Sequence, residues 1–277
     1  MTGAWSSTLR IRRDVLDRLS PDQRKEAEAA LAQLTQLHEQ NPLYAYKPHP
    51  KQAAFHASRA RSKCYFGGNR AGKTTGAIAD DLIQAVDRDS LPDHLKPFKK
   101  WDPPFKCRIV APDFTATMEG VIFEKLREMA PKGQLVGDRF DKAYDKQLRM
   151  LRFKNGSWFQ FLTSEQDLDK FGGAALHRVH FDEEPPGLKG EQMYRECRMR
   201  LIDYGGDFVL SMTPLLGLSW TYDAFWEQRP EEVSKGIYQD DKLFITTVDM
   251  DDNPHLHSEE RHVALEGMTD QEKRARK

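Results

Sequence analysis

Eight consecutive residues, Gly67-Gly68-Asn69-Arg70-Ala71-Gly72-Lys73-Thr74, fit the spacing G-x-x-x-x-G-K-[ST] without a mismatch. A β-rich run, Lys63 to Phe66, precedes them, and a helical pattern, Thr75 to Val86, follows. That context gives the motif its physical meaning. Glycines let the backbone turn tightly, so that successive N–H groups point into one concavity, and the positive end of the next helix adds attraction for an anion. The stretch from Gly67 to Thr75 is therefore expected to hold a nucleotide. Lys73 would reach its β and γ phosphates and the Thr74 hydroxyl would bind Mg²⁺.

From Lys63 onward, short β-rich runs alternate with helical patterns, which is the arrangement of a mostly parallel sheet covered by helices. Four runs are clear: Lys63 to Phe66, Lys106 to Ala111, His177 to Phe181 and Phe208 to Met212. In such sheets the chemistry gathers at the carboxyl ends of the strands. Leu148 to Phe153 and Trp158 to Leu162 flank Asn155-Gly156, a strong hairpin signal, so an antiparallel hairpin is expected as an addition at the sheet edge. Phe244 to Val248 supplies a further strand, after which Asp251-Asp252-Asn253-Pro254 breaks the pattern.

The first 45 residues read as a helical arm. Ser20-Pro21-Asp22-Gln23 carries an N-cap, a first-turn proline and a capping-box glutamine, and Ala27, Leu31, Leu34 and Leu37 recur at helical spacing on a face suited to packing. The chain thus divides into an arm (1–45), an α/β core (46–250) and a charged helical tail (251–277).

A phosphate loop needs an acidic residue on a neighbouring strand to position the metal, and hydrolysis needs a group that activates water. Val179-His180-Phe181-Asp182-Glu183-Glu184 offers both. Asp182 ends the apolar run and is the candidate metal ligand. Glu183 is the candidate base, with Glu184 as its rival. Strict alternation sets His180 opposite Val179 and Phe181, where it reads as a packed core histidine.

Forty-two Lys and Arg against 43 Asp and Glu leave a net charge of −1, so no global field draws this chain to nucleic acid. Any such contact must be local. Lys96, Lys99, Lys100 and Lys106, interleaved with Phe98, Trp101 and Phe105, form the one basic-aromatic cluster suited to it, although a solvated loop is the plainer reading. No apolar run approaches the roughly 20 residues that span a bilayer, and no signal peptide is evident, so a cytoplasmic protein that is not secreted is expected. Cys64, Cys107 and Cys197 are too widely spaced for a zinc site and are read as reduced.

Together these motifs resemble the terminase large subunits of tailed phages. Gln52, in Pro48-His49-Pro50-Lys51-Gln52, stands where that family reads adenine, and one amide can both donate to and accept from the base. Ser211-Met212-Thr213-Pro214 is similar to the family's coupling motif, in which a hydroxyl senses the γ-phosphate. Arg70 resembles the loop arginine that stabilises charge developing there. The family's Arg-Gly pair before the acidic motif is replaced by Lys170-Phe171-Gly172-Gly173, which leaves Arg139 and Arg200 as substitutes for an arginine acting on a neighbouring subunit.

The resemblance spans about residues 44 to 277 and implies an ASCE/RecA-like P-loop ATPase using ATP and Mg²⁺. It further implies double-stranded DNA, a portal protein and a small terminase subunit as partners, a ring of identical subunits on the capsid, and a place in the cytoplasm of an infected cell. Asp251 through Arg276 looks like the family's lid leading to a nuclease domain. That domain is not among these residues, so DNA cleavage is not expected of them. A helicase-like remodeller shares the glutamine and the loop but carries a second motor lobe, for which the 63 residues after Pro214 leave no room. A small-molecule kinase would gain nothing from Glu183, and a non-catalytic ATP-bound scaffold would lack hydrolysis.

Overall fold

The computed structural model describes residues 19–68, 70–214, 219–227 and 236–254. Helix α1 spans Pro21–Gln40 and starts as its sequence dictates: Gln23 N donates to Ser20 Oγ (3.3 Å) and Ser20 N donates to Gln23 Oε1 (3.1 Å). The expected packed face is a different matter. No residue of α1 is buried, and Leu34 and Leu37 remain 45% and 38% exposed, so nothing among the described residues covers the stripe. Residues 1–18 of the arm, Asn69 of the phosphate loop and residues 255–277 of the tail lie outside the described residues.

Among the described residues nine strands form one sheet. They are β1 (Ser62–Gly67), β2 (Lys106–Ala111), β3 (Tyr144–Asp145), β4 (Met150–Arg152), β5 (Trp158–Thr163), β6 (Arg178–Asp182), β7 (Asp207–Met212), β8 (Ile237–Gln239) and β9 (Leu243–Val248). Their order is β3-β4-β5-β2-β6-β7-β1-β9-β8. The six from β5 to β9 in that order run parallel, and β3, β4 and β8 pair antiparallel at the two edges. The Asn155-Gly156 hairpin is present between β4 and β5. However, β5 also pairs β2 in parallel, so the addition at the edge consists of β4 and β3.

Further helices are α2 (Pro50–Ala57), α3 (Lys73–Ala85), α4 (Glu124–Met129) and α5 (Gly187–Met199). Strand alternation sends Ile109 into one core with Ile78, Leu82 and Ile83 of α3, and Val110 into the other with Met193, Tyr194 and Cys197 of α5. Every residue of β6 and β7 is buried, including the polar Arg178, His180, Asp182, Asp207 and Ser211 among the apolar ones. All three cysteines are buried and free. Among the described residues no helix is long and apolar enough to cross a membrane.

Between α3 and the sheet lies a buried ionic network. Arg178 grips Asp207 with two hydrogen bonds, Nε to Oδ1 (2.8 Å) and Nη2 to Oδ2 (3.0 Å), and its Nη1 reaches Asp80 (2.8 Å) and Asp81 (3.1 Å). Lys63 Nζ also donates to Asp80 Oδ2 (2.5 Å). Burial alone would push the Asp207 carboxyl up, but Arg178 outweighs it and holds the group below its ordinary value. Removing one partner from such a network strands its opposite charges. Arg178→Met is therefore expected to cost about 3–5 kcal/mol in urea unfolding, and a loss near zero would contradict this account.

The basic-aromatic cluster is largely committed to the fold. Lys99 is buried, and its ammonium donates to the carbonyls of Ile83 (3.3 Å), Gln84 (2.8 Å) and Val86 (2.7 Å), closing the carboxyl end of α3. Lys100 faces Asp207 (3.5 Å), Lys96 pairs with Asp93 (2.7 Å), and Lys106 donates to the Tyr204 hydroxyl (3.0 Å). Lys99 is thus taken up by the fold, while Lys96, Lys100 and Lys106 each have a partner within the protein.

Candidate active site

The parallel register brings the carboxyl ends of β1, β7 and β6 side by side, with Tyr65 opposite Ser211 and Ser211 opposite Asp182. The phosphate loop leaves β1 at Gly67, where a Cβ would run into the carbonyl oxygen of Val248 on β9, so only glycine permits this approach. Gly72 takes a left-handed φ of 85° as α3 begins at Lys73. Arg70 is also left-handed (φ 62°) and exposed, and Asn253 Nδ2 donates to its carbonyl (2.7 Å).

Lys73 is buried at the centre. Its ammonium donates to Gly68 O (2.8 Å) and to Thr213 Oγ1 (3.0 Å). Burial lowers its pKa, opposed by the charges of Glu183 and Asp182. Two hydroxyls converge on Asp182 Oδ1: Thr74 Oγ1 at 3.1 Å and Ser211 Oγ at 2.7 Å. Beyond the end of β6, Glu183 adopts a left-handed φ of 72° while its N–H donates to Ser211 O (2.7 Å). That turn aims the carboxylate at Thr213, whose N–H (2.8 Å) and Oγ1 (3.3 Å) both donate to it. Burial raises the Glu183 pKa, although the Thr213 N–H and Lys73 work against it.

Glu184 points elsewhere. Both its carboxylate oxygens are buried without a hydrogen-bond partner among the described residues. Gln52 is buried against the loop, where Nε2 donates to Gly72 O (3.2 Å) and Oε1 accepts from His49 N (3.2 Å), so its amide ties α2 to the phosphate loop. Thr75 follows Thr74 in the first turn of α3. Arg200 lies past the opposite end of the sheet: its carbonyl accepts from Leu176 N (2.8 Å), ahead of β6, and its guanidinium pairs with Glu196 (3.2 Å). Arg139 is exposed.

The structure therefore brings together Gln52, Gly67, Gly68, Gly72, Lys73, Thr74, Asp182, Glu183, Ser211 and Thr213, and leaves Arg139 and Arg200 outside this chain's own cleft. Hard oxygen donors from Thr74 and Asp182, 3.1 Å apart, suit a magnesium ion, which favours carboxylate and hydroxyl oxygen beside phosphate. His180 is the packed core histidine that the alternation predicts, and it has polar partners at both ring nitrogens. His180, fully buried, links Asp81 Oδ2 (2.7 Å from Nδ1) to Ser211 Oγ (3.0 Å from Nε2). Two residues before Asp182, it shares that residue's face of β6.

No family model matches this chain, and no curated protein matches it in sequence. Solved structures of similar architecture include two of large terminases. One is the large terminase ATPase domain of Thermus phage P74-26, with a TM-score of 0.58 and 19% identity over 85% of this chain and 94% of that one. The other is a large terminase from a thermophilic bacteriophage, with a TM-score of 0.55 and 16% identity over 79% of this chain and 50% of that one. This chain therefore has the α/β fold of a large-terminase ATPase domain, a mostly parallel sheet flanked by helices.

Proposed function

We propose that this chain is the ATP-hydrolysing motor domain of a phage terminase large subunit, driving double-stranded DNA into a procapsid. The observation that carries this reading is the convergence of five groups at one end of the sheet, where Thr213 bonds both Lys73 and Glu183 and Thr74 bonds Asp182. Gly67 to Thr75 would cradle the phosphates and Lys73 would neutralise their charge. Thr74 and Asp182 would hold Mg²⁺, which when bound screens charge on the transferring phosphoryl group. Glu183 would take the proton of the attacking water.

Thr213 touches both Glu183 and Lys73, so a change at the γ-phosphate would be felt by the strand end that carries Ser211 and Thr213. Such a contact suits the coupling role assigned to these two hydroxyls. Arg70, exposed at the loop, would approach the γ-phosphate as the stabilising arginine. Gln52 would read adenine from beside the loop, exchanging its hold on Gly72 O for the base. The core of residues 46–250 would be the motor, with residues 1–45 an arm and 251–277 a lid. Portal protein, a small terminase subunit and a homo-oligomeric ring would complete the machine in the cytoplasm of an infected cell.

ATP hydrolysis by the purified chain, measured alone, with duplex DNA, and with DNA on portal-bearing procapsids, tests the reading. A rate that rises further in the presence of procapsids is the expected result. Stimulation by DNA with no further response to procapsids would favour a helicase-like translocase, and absence of hydrolysis in every arm would overturn the proposal.

A further inference from the structure

The charged network under α3 and the metal-binding end of the sheet are joined by one continuous line of buried groups. Arg178 Nη1 donates to Asp81 Oδ1 (3.1 Å), Asp81 Oδ2 lies 2.7 Å from His180 Nδ1, His180 Nε2 lies 3.0 Å from Ser211 Oγ, and Ser211 Oγ lies 2.7 Å from Asp182 Oδ1. Every member is at most 4% exposed, so water cannot replace any link. His180 stands between the apolar Val179 and Phe181 of β6, on the strand face that also carries Arg178 and Asp182. A buried imidazole satisfied at both nitrogens fixes the ring in one orientation.

A carboxylate only accepts, so the Nδ1 facing Asp81 carries a proton, and in the neutral ring Nε2 is then an acceptor. Ser211 has a single hydroxyl proton. It can serve His180 Nε2 or Asp182 Oδ1, but not both at once. When it turns to Asp182, it competes with a cation for the carboxylate lone pairs. When it turns to His180, Oδ1 is released toward the metal.

We infer that His180 is a positioning residue for the metal carboxylate: held by Asp81, it draws the Ser211 hydroxyl and thereby sets how strongly Asp182 takes a divalent cation. The inference rests on the nucleotide reading above and concerns His180, to which that reading gives no role. Partners one step removed from a metal typically change its affinity by about 10–100-fold when lost.

The test is titration of Mg²⁺ into the full chain with a fluorescent ADP, following nucleotide affinity in EDTA and at increasing Mg²⁺, together with thermal unfolding of each variant. His180→Phe is expected to shift the half-maximal Mg²⁺ concentration by roughly tenfold or more, while affinity in EDTA moves less than about twofold. His180→Gln, which offers a polar amide where Nε2 stood, is expected to recover part of the shift. Ser211→Ala, a smaller change, keeps the test open should His180→Phe fail to fold. Because His180 acts only through the Ser211 hydroxyl, adding His180→Phe to Ser211→Ala should leave the Mg²⁺ dependence of Ser211→Ala unchanged. Unchanged Mg²⁺ dependence in Ser211→Ala and His180→Gln would overturn the inference, as would equal losses with and without Mg²⁺, which a packing role predicts. If the unaltered chain bound nucleotide tightly and Mg²⁺ had no effect, the inference alone would fall; if it bound no nucleotide, the reading beneath would fall first.

Discussion

Glu183→Gln is expected to retain nucleotide affinity and to lose turnover by a factor on the order of 10²–10⁴, the usual consequence of removing a general base. The change is nearly isosteric, and the Gln oxygen can still accept from the Thr213 N–H that now donates to Glu183 Oε2 at 2.8 Å. Backbone geometry should therefore survive, including the left-handed φ of 72° that a non-glycine residue holds here only because its surroundings enforce it. What is lost is basicity. Burial raises the Glu183 pKa, which makes the ionised form a better proton acceptor near neutral pH. Single-turnover hydrolysis beside equilibrium nucleotide binding measures the two quantities separately. A variant that hydrolysed at the normal rate would shift the role to the neighbouring Glu184, whose buried carboxylate has no hydrogen-bond partner among the described residues.

Much of this was legible locally. The capping box at Ser20 and Gln23, the glycine-rich turn after Phe66 and the apolar runs of β2, β6 and β7 depend on neighbours in sequence, and they form where the pattern puts them. What local patterns lack is information on pairing at a distance. The Asn155-Gly156 turn predicts a hairpin, but not that β5 would also lie parallel to β2, some fifty residues earlier. Asp81 and His180 are 99 residues apart, so their contact could not be read from spacing. Lys99 looked available to a phosphate because its sequence neighbours are basic and aromatic; three carbonyls at the end of α3 claimed it instead. Conversely, α1 was legible as a helix and misleading as a packed one, since an apolar stripe states a preference for burial without supplying the partner.

Lys73→Ala is expected to weaken ATP binding by roughly 30-fold to several-thousand-fold and to reduce hydrolysis to background, because removing one partner of a buried, hydrogen-bonded charge pair costs about 2–5 kcal/mol. The ammonium already stands where such a task would need it. Gly68 O and Thr213 Oγ1 hold it at 2.8 and 3.0 Å, so little side-chain ordering is left to be done when a phosphate arrives. Burial lowers its pKa, while Glu183 and Asp182 supply the negative charge that keeps the cation favourable there. Without Lys73 the phosphates would meet those two carboxylates without the buried ammonium between them, a repulsion left to the loop N–H groups, Arg70 and Mg²⁺ to oppose. Arginine is a poor substitute, since its planar fork does not occupy the compact position of an ammonium between the loop and β7. Calorimetric titration of ATP and thermal unfolding of the nucleotide-free protein decide the matter together. Lost affinity with an intact unfolding transition places the defect in the site, whereas an unfolding midpoint that collapses in parallel would make Lys73 chiefly a structural cation and remove the main support for nucleotide chemistry at this end of the sheet.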